Sequence, residues 1–211
     1  KQAAFHLVSS RPVIAYQWNP LQYRATNLHK ADADAQCIAS CGAVDKCFAA
    51  SNDASLLLPD TALSGRYRVA AHPRGASNYV AITATRDETL VTVTLGRRAY
   101  LLAGPLESDF FEVGPGQVQA FLLDAGDVAE LVGDPDSDFR VDLSGTLIDA
   151  TQPVQVVAGD ICLRAPDRYP YSCNHVEETQ LPLETWGRQY VVTGVSGPAG
   201  EVGRASCRER V

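Results

Sequence analysis

The stretch Asn78-Tyr-Val-Ala-Ile-Thr-Ala-Thr85, Arg86-Asp-Glu88, Thr89-Leu-Val-Thr-Val-Thr-Leu95 decides the fold class. Both outer runs are rich in β-branched residues, whose stiff side chains suit a pleated strand. Three polar residues separate them, a spacing that predicts a hairpin with a three-residue loop. In the second run Leu90, Val91, Val93 and Leu95 mark the apolar side, and Thr89, Thr92 and Thr94 suit the wetter one. Outward from this pair, strands are expected at Gln117–Leu123, Val128–Val132, Ser144–Asp149, Pro153–Ala158 and Gln189–Val195. Gly114-Pro-Gly116 and Asp134-Pro-Asp136 punctuate them. No stretch holds an apolar 3.6-residue period for three turns, and the best helical candidate, Ala31–Ala39, is short. The expected fold is therefore all-β, an antiparallel sandwich-like tandem repeat with disulfide-clamped loops. A propeller-like array of short antiparallel sheets is the alternative.

Composition narrows the function classes. Of 211 residues, 45% are hydrophobic and 20% charged, which is globular composition. The net charge is −7, with 3 Lys against 15 Arg and no basic stripe, so nucleic acid is not the expected partner. No apolar run reaches the roughly 18 residues of a membrane-spanning helix. Nothing in the sequence implies a cofactor. The tail Gly203-Arg-Ala-Ser-Cys-Arg-Glu-Arg-Val211 reads as the translation of a sequencing adapter and is set aside. Without it the chain has 15 basic and 24 acidic residues, a net −9, and five cysteines. The start at Lys1 and the lack of Met suggest a fragment of a longer protein. Cysteines in two short clusters suggest an oxidising compartment.

Two parts of the chain repeat each other. Phe5-His-Leu-Val-Ser-Ser-Arg-Pro-Val-Ile-Ala-Tyr16 parallels Thr146-Leu-Ile-Asp-Ala-Thr-Gln-Pro-Val-Gln-Val-Val157, with Pro12 and Pro153 141 residues apart. Ser51-Asn-Asp53 parallels Cys173-Asn-His175. Gly65-Arg-Tyr-Arg-Val69 parallels Gly187-Arg-Gln-Tyr-Val191, with the tyrosines 123 apart. The expected organisation is residues 1–70 as the later part of one β unit with a cysteine-containing insertion, 71–202 as a second unit, and 203–211 as the adapter translation.

Few side chains are placed for chemistry. Cys162 and Cys173 are 11 residues apart, and a disulfide closing that loop would contribute roughly 2–3 kcal/mol. Cys37, Cys41 and Cys47 allow one further pair and leave one thiol over; a metal site there would need a fourth ligand such as His29. His175, Glu177 and Glu178 have the chemistry of a general acid or base, but no nucleophile or phosphate-loop motif accompanies them, and a charged turn is the plainer reading. Asp134, Asp136 and Asp138 resemble the start of a calcium loop, but Phe139 and Gly145 stand where its Gly and Glu belong. Trp186 has the form of an apolar plug at the end of the sandwich, or of a platform for a sugar.

Several of these blocks together resemble the IgGFc-binding domain family, widespread in secreted bacterial proteins. They are Arg11-Pro-Val-Ile-Ala-Tyr16; Ser51-Asn-Asp-Ala-Ser-Leu-Leu-Leu-Pro59 with Tyr67; Val80-Ala-Ile-Thr-Ala-Thr85; Asp142-Leu-Ser-Gly-Thr-Leu-Ile148; Cys173-Asn-His-Val-Glu-Glu178; and Leu181-Pro-Leu-Glu-Thr-Trp-Gly187. Asn174 departs from the aspartate the family carries before its histidine. High Arg with low Lys fits a GC-rich, bacterial genome. The resemblance implies an extracellular or cell-surface binding or adhesion module whose ligand is a protein or glycan, with His175, Glu177, Glu178 and Trp186 as candidate contacts. The rival classes are a structural spacer and a glycan hydrolase. The hydrolase would need two carboxylates roughly 5–9.5 Å apart across a cleft.

Overall fold

The computed structural model describes residues 4–18, 53–72, 78–101, 114–133, 141–163 and 174–191. Among them the chain is all-β, with antiparallel pairing throughout and no α-helix. Two strands, β1 (Tyr16–Trp18) and β2 (Ala54–Leu56), form a small ribbon. Seven more form one sheet: β3 (Ser64–Arg68), β4 (Asn78–Ala84), β5 (Thr89–Thr94), β6 (Val118–Leu123), β7 (Val128–Val132), β8 (Leu147–Leu163) and β9 (Asn174–Thr179).

β8 is the spine of the sheet. The two expected strands at 144–149 and 153–158 are one continuous element, with Pro153 in its middle. β4 and β5 follow one another along one edge of β8, Ala84 opposite Val154 and Val91 opposite Ala150. β9 and β3 line the other edge. β7 and β6 continue the same plan outside β4 and β5. The expected hairpin of β4 with β5 is therefore not formed: the two strands run in the same direction, end to end.

What joins them is a crease across the whole sheet. Asp124 accepts the Glu88 amide at 3.2 Å, and Asp87 accepts the Ala125 amide at 3.0 Å. The Thr151 hydroxyl accepts the Leu90 amide, while the Thr85 hydroxyl donates to the Pro153 carbonyl. Gly126 takes φ +84° in the turn beside it, the left-handed region that glycine enters freely. Polar side chains thus replace the ladder where the strands bend. Pro153, which has no amide hydrogen, costs β8 nothing at that point.

Folded about the crease, the sheet curls into a half-barrel and buries its inner face. Tyr67, Val80, Ile82, Val91, Val93, Ile148, Val154 and Val156 are all fully buried there. The inner row of β5 includes Thr89, whose hydroxyl donates to the Arg86 carbonyl at 2.6 Å. Leu90 faces out at 44% exposure. Alternation wins over side-chain polarity here, reversing the sides expected for those two residues.

The β1–β2 ribbon has the register of β8–β9. Tyr16, Gln17 and Trp18 face Leu56, Ser55 and Ala54; Val157, Ala158 and Gly159 face Thr179, Glu178 and Glu177. The first strands differ by 141 positions and the second by 123. A 3-10 turn follows each, Asp60–Ala62 after Pro59 and Leu183–Thr185 after Pro182.

Several sequence expectations lie outside the described residues: Ala31–Ala39, His29, Cys37, Cys41, Cys47, Cys173, Asp134, Asp136, Asp138 and the 203–211 tail. Cys162 lies on β8, its side chain outside the description. Gln189–Val191, the described part of an expected strand, pairs with no strand among the described residues.

Candidate functional site

Strand β9 brings His175 and Glu177 onto one face, and Tyr79 of β4 reaches them across β8. It crosses at Gly159, where a Cβ would stand 2.7 Å from the Tyr79 ring and hydroxyl and run into the Val176 carbonyl. Only glycine lets the phenol lie that close. The His175 ring stacks on Tyr79 with centroids 5.8 Å apart. Its Nε2 lies 3.2 Å from the Tyr79 oxygen and 3.3 Å from Glu177 Oε2, while the phenol donates to the same carboxylate at 3.4 Å. Gln17 Nε2, from the ribbon, sits 3.3 Å from both carboxylate oxygens.

The Glu177 side chain, 6% exposed, is thus enclosed by donors. A buried carboxylate is tolerable when its oxygens are occupied in this way. Burial, then the charge of Glu177, pushes the Tyr79 phenol well above its ordinary range, so it remains a neutral donor. Two ribbon side chains close the outer edge of β9. Asp53 Oδ2 accepts the Glu177 amide and Ser55 Oγ accepts the Thr179 amide, each at 2.6 Å. These acceptors occupy amides that would otherwise invite a foreign strand. Glu178 points to the other side, exposed, its carboxyl raised by partial burial and by the nearby Asp53 and Glu177 charges.

The chemistry of this cluster is cohesive. His175, Glu177, Tyr79 and Gln17 are spent on one another, in an arrangement that ties ribbon to sheet. Gln17, Asp53, Ser55 and Tyr79 were not singled out from sequence; the ribbon register sets Asp53 and Ser55 123 positions before Val176 and Glu178, one position from the pairing of Asp53 with His175 expected from the repeated blocks. Among the described residues no group of three His, Cys, Asp or Glu is placed to hold a metal ion. No helix among them is long and apolar enough to cross a membrane. Trp186 does not plug the core. The turn at Leu183–Thr185 swings it outward to 50% exposure, with its indole N–H donating to the Leu181 carbonyl.

A different surface is open. On the outer face of β5 and β6, Leu90 stands opposite Leu122, Thr92 opposite Ala120 and Thr94 opposite Val118. Leu90, Leu122 and Val118 are 44%, 60% and 57% exposed. At the Thr94 end lies an open depression of about 470 Å³ whose walls include Arg68, Arg97 and Ser144. Strict alternation would have found this face, because it sets Leu90 outside.

Residues 53–207 match the family described as IgGFc binding protein. The chain belongs to the IgGFc-binding family. The matched span includes the first five residues of the tail. A human relative, "IgGFc-binding protein", is 32% identical over 141 residues, 65% of this chain and 2% of its own length. The chain thus spans a small part of that relative, and no solved structure matches it.

Proposed function

We propose that the chain is an extracellular binding module that holds a protein ligand against the outer face of β5 and β6. Family membership supports binding as the activity. The exposed Leu90–Leu122 pair, continued by Ala120 and Val118, carries the placement. An exposed apolar face with Arg68 and Arg97 at its Thr94 end suits protein contact, because apolar area and Arg supply much of the energy of such interfaces. The relative's name makes the Fc part of IgG the first protein to try. The reading includes the disulfide between Cys162 and Cys173, which peptide mapping without reduction tests.

The functional test uses immobilised full chain against Fc, other secreted proteins and a glycan array. Leu90→Asp and Leu122→Asp, made one at a time so that no two carboxylates face each other, are each expected to lower protein binding by 10-fold or more with little change in thermal stability, since both side chains are exposed. Binding that survives both substitutions removes the face from the proposal. A chain that binds glycans and no protein removes the ligand class.

A further inference from the structure

The stretch from Pro182 to Val191 repeats the geometry from Pro59 to Arg68. In each, a 3-10 turn follows a proline. In each, a tyrosine hydroxyl accepts an amide three residues back: Ser64 to Tyr67 at 3.1 Å, Gly187 to Tyr190 at 2.6 Å. The surroundings then differ. Tyr67 lies in β3 along the edge of β8, fully buried, its hydroxyl donating to the Val154 carbonyl at 2.7 Å. Tyr190 is 72% exposed and Val191 99% exposed, and no strand lies beside them among the described residues.

We infer that Gly187–Val191 is a donor strand, shaped to complete the sheet of another unit of the same kind. It docks on the edge of that unit's β8, as β3 docks in this chain. The register follows from β3: Ser64 faces Val154, Tyr67 faces Ile148 and Arg68 faces Leu147. Gly187, Tyr190 and Val191 take those three places against the receiving strand. The hydroxyl that now only accepts would donate to the receiver's Val154-type carbonyl.

The receiving side can also be seen unfilled. The segment before β1 follows the β8 sequence, so Leu7 and Val13 occupy the places of Ile148 and Val154. Those two are buried in β8, whereas Leu7 and Val13 are 69% and 61% exposed. Strand addition of this kind draws affinity from main-chain hydrogen bonds and specificity from alternate side chains. Here the specifying side chain is the tyrosine. One position departs: Arg188 stands where Gly65 passes against the Ala150 carbonyl, so the receiver's bulge must sit further off there.

The test lengthens the chain: residues 1–193 followed directly by a second copy of 71–191. Amide exchange at Gln189–Val191 is expected to slow by on the order of 100-fold or more relative to the single chain. Tyr190→Ala in the long chain is expected to abolish that protection. Unchanged exchange at 189–191 overturns the inference when a comparison chain, carrying Ser-Gly-Arg-Tyr-Arg at 187–191, does protect the second copy's β8. Failure of both chains to protect that β8 overturns strand donation itself. None of these outcomes depends on the ligand proposed for β5 and β6.

Discussion

Tyr67→Phe removes one buried oxygen and nothing else from the seam between β3 and β8. That oxygen donates to the Val154 carbonyl at 2.7 Å and accepts the Ser64 amide at 3.1 Å. Val154 is fully buried, so its carbonyl loses a partner that water does not replace; Ser64 is partly exposed, and its amide finds solvent. A buried acceptor left unsatisfied costs about 1–3 kcal/mol, and the solvated amide adds little. The expected loss is about 2 kcal/mol, or roughly 4–8 °C in Tm for a chain of this size. Burial, the largest effect, pushes the pKa of this phenol above its ordinary value, so it stays neutral and the loss stays flat across neutral pH. Urea titration measures it as a lower midpoint at unchanged slope. Tyr67→Ala also opens a cavity and is expected to cost about 3–5 kcal/mol. Tyr190→Phe is the internal control: its hydroxyl holds only the Gly187 amide at an exposed site, so the change stays within about 0.5 kcal/mol. A Tyr67→Phe protein equally close to wild type would refute the argument that the hydroxyl holds the seam.

Gly159→Ala places a methyl against the Tyr79 phenol and the Val176 carbonyl, and calorimetry is expected to show a loss of about 1–3 kcal/mol. Glu177→Ala strands the donors of Gln17, Tyr79 and His175 and is expected to loosen the ribbon; faster amide exchange at β1 and β2 than at β5 checks it. Glu178→Gln reports a sign. The folded carboxyl titrates above its ordinary value, so the folded state binds more protons than the unfolded chain, and the charged form weakens the fold as pH rises through the shifted value. The Gln variant is therefore expected to melt higher than wild type at pH 7, with the gap closing as pH falls through the ordinary glutamate range. A gap that widens on acidification contradicts the shift.

Strand existence was legible because it is local. β7 lies at Val128–Val132 as expected, and β4, β5 and β6 fall within a residue of expectation. Membership of the family was legible in ordered blocks of sequence. Partnership was not. The spacing of Arg86-Asp-Glu88 suits both a hairpin and a crease, and the choice depends on Asp124 and Thr151, which are far away in sequence. The candidate site divides the same way. His175 and Glu177 are two residues apart on one strand, so their shared face follows from period two. Tyr79 and Gln17, nearly a hundred residues or more away, reach them only because β4 lies beside β8 and because Gly159 leaves a gap.

The crease also explains why polarity misled the reading of β5. Thr89 begins that strand at the bend, where its hydroxyl has the Arg86 carbonyl within reach. A threonine satisfied by its own turn is buried at little cost. Leu90, one residue on, must then face solvent, because every second residue after Thr89 is needed inside. An apolar side chain left outside by register rather than by composition is free to serve a partner. The bend that builds the core thereby also sets the Leu90–Leu122 pair on the outer face.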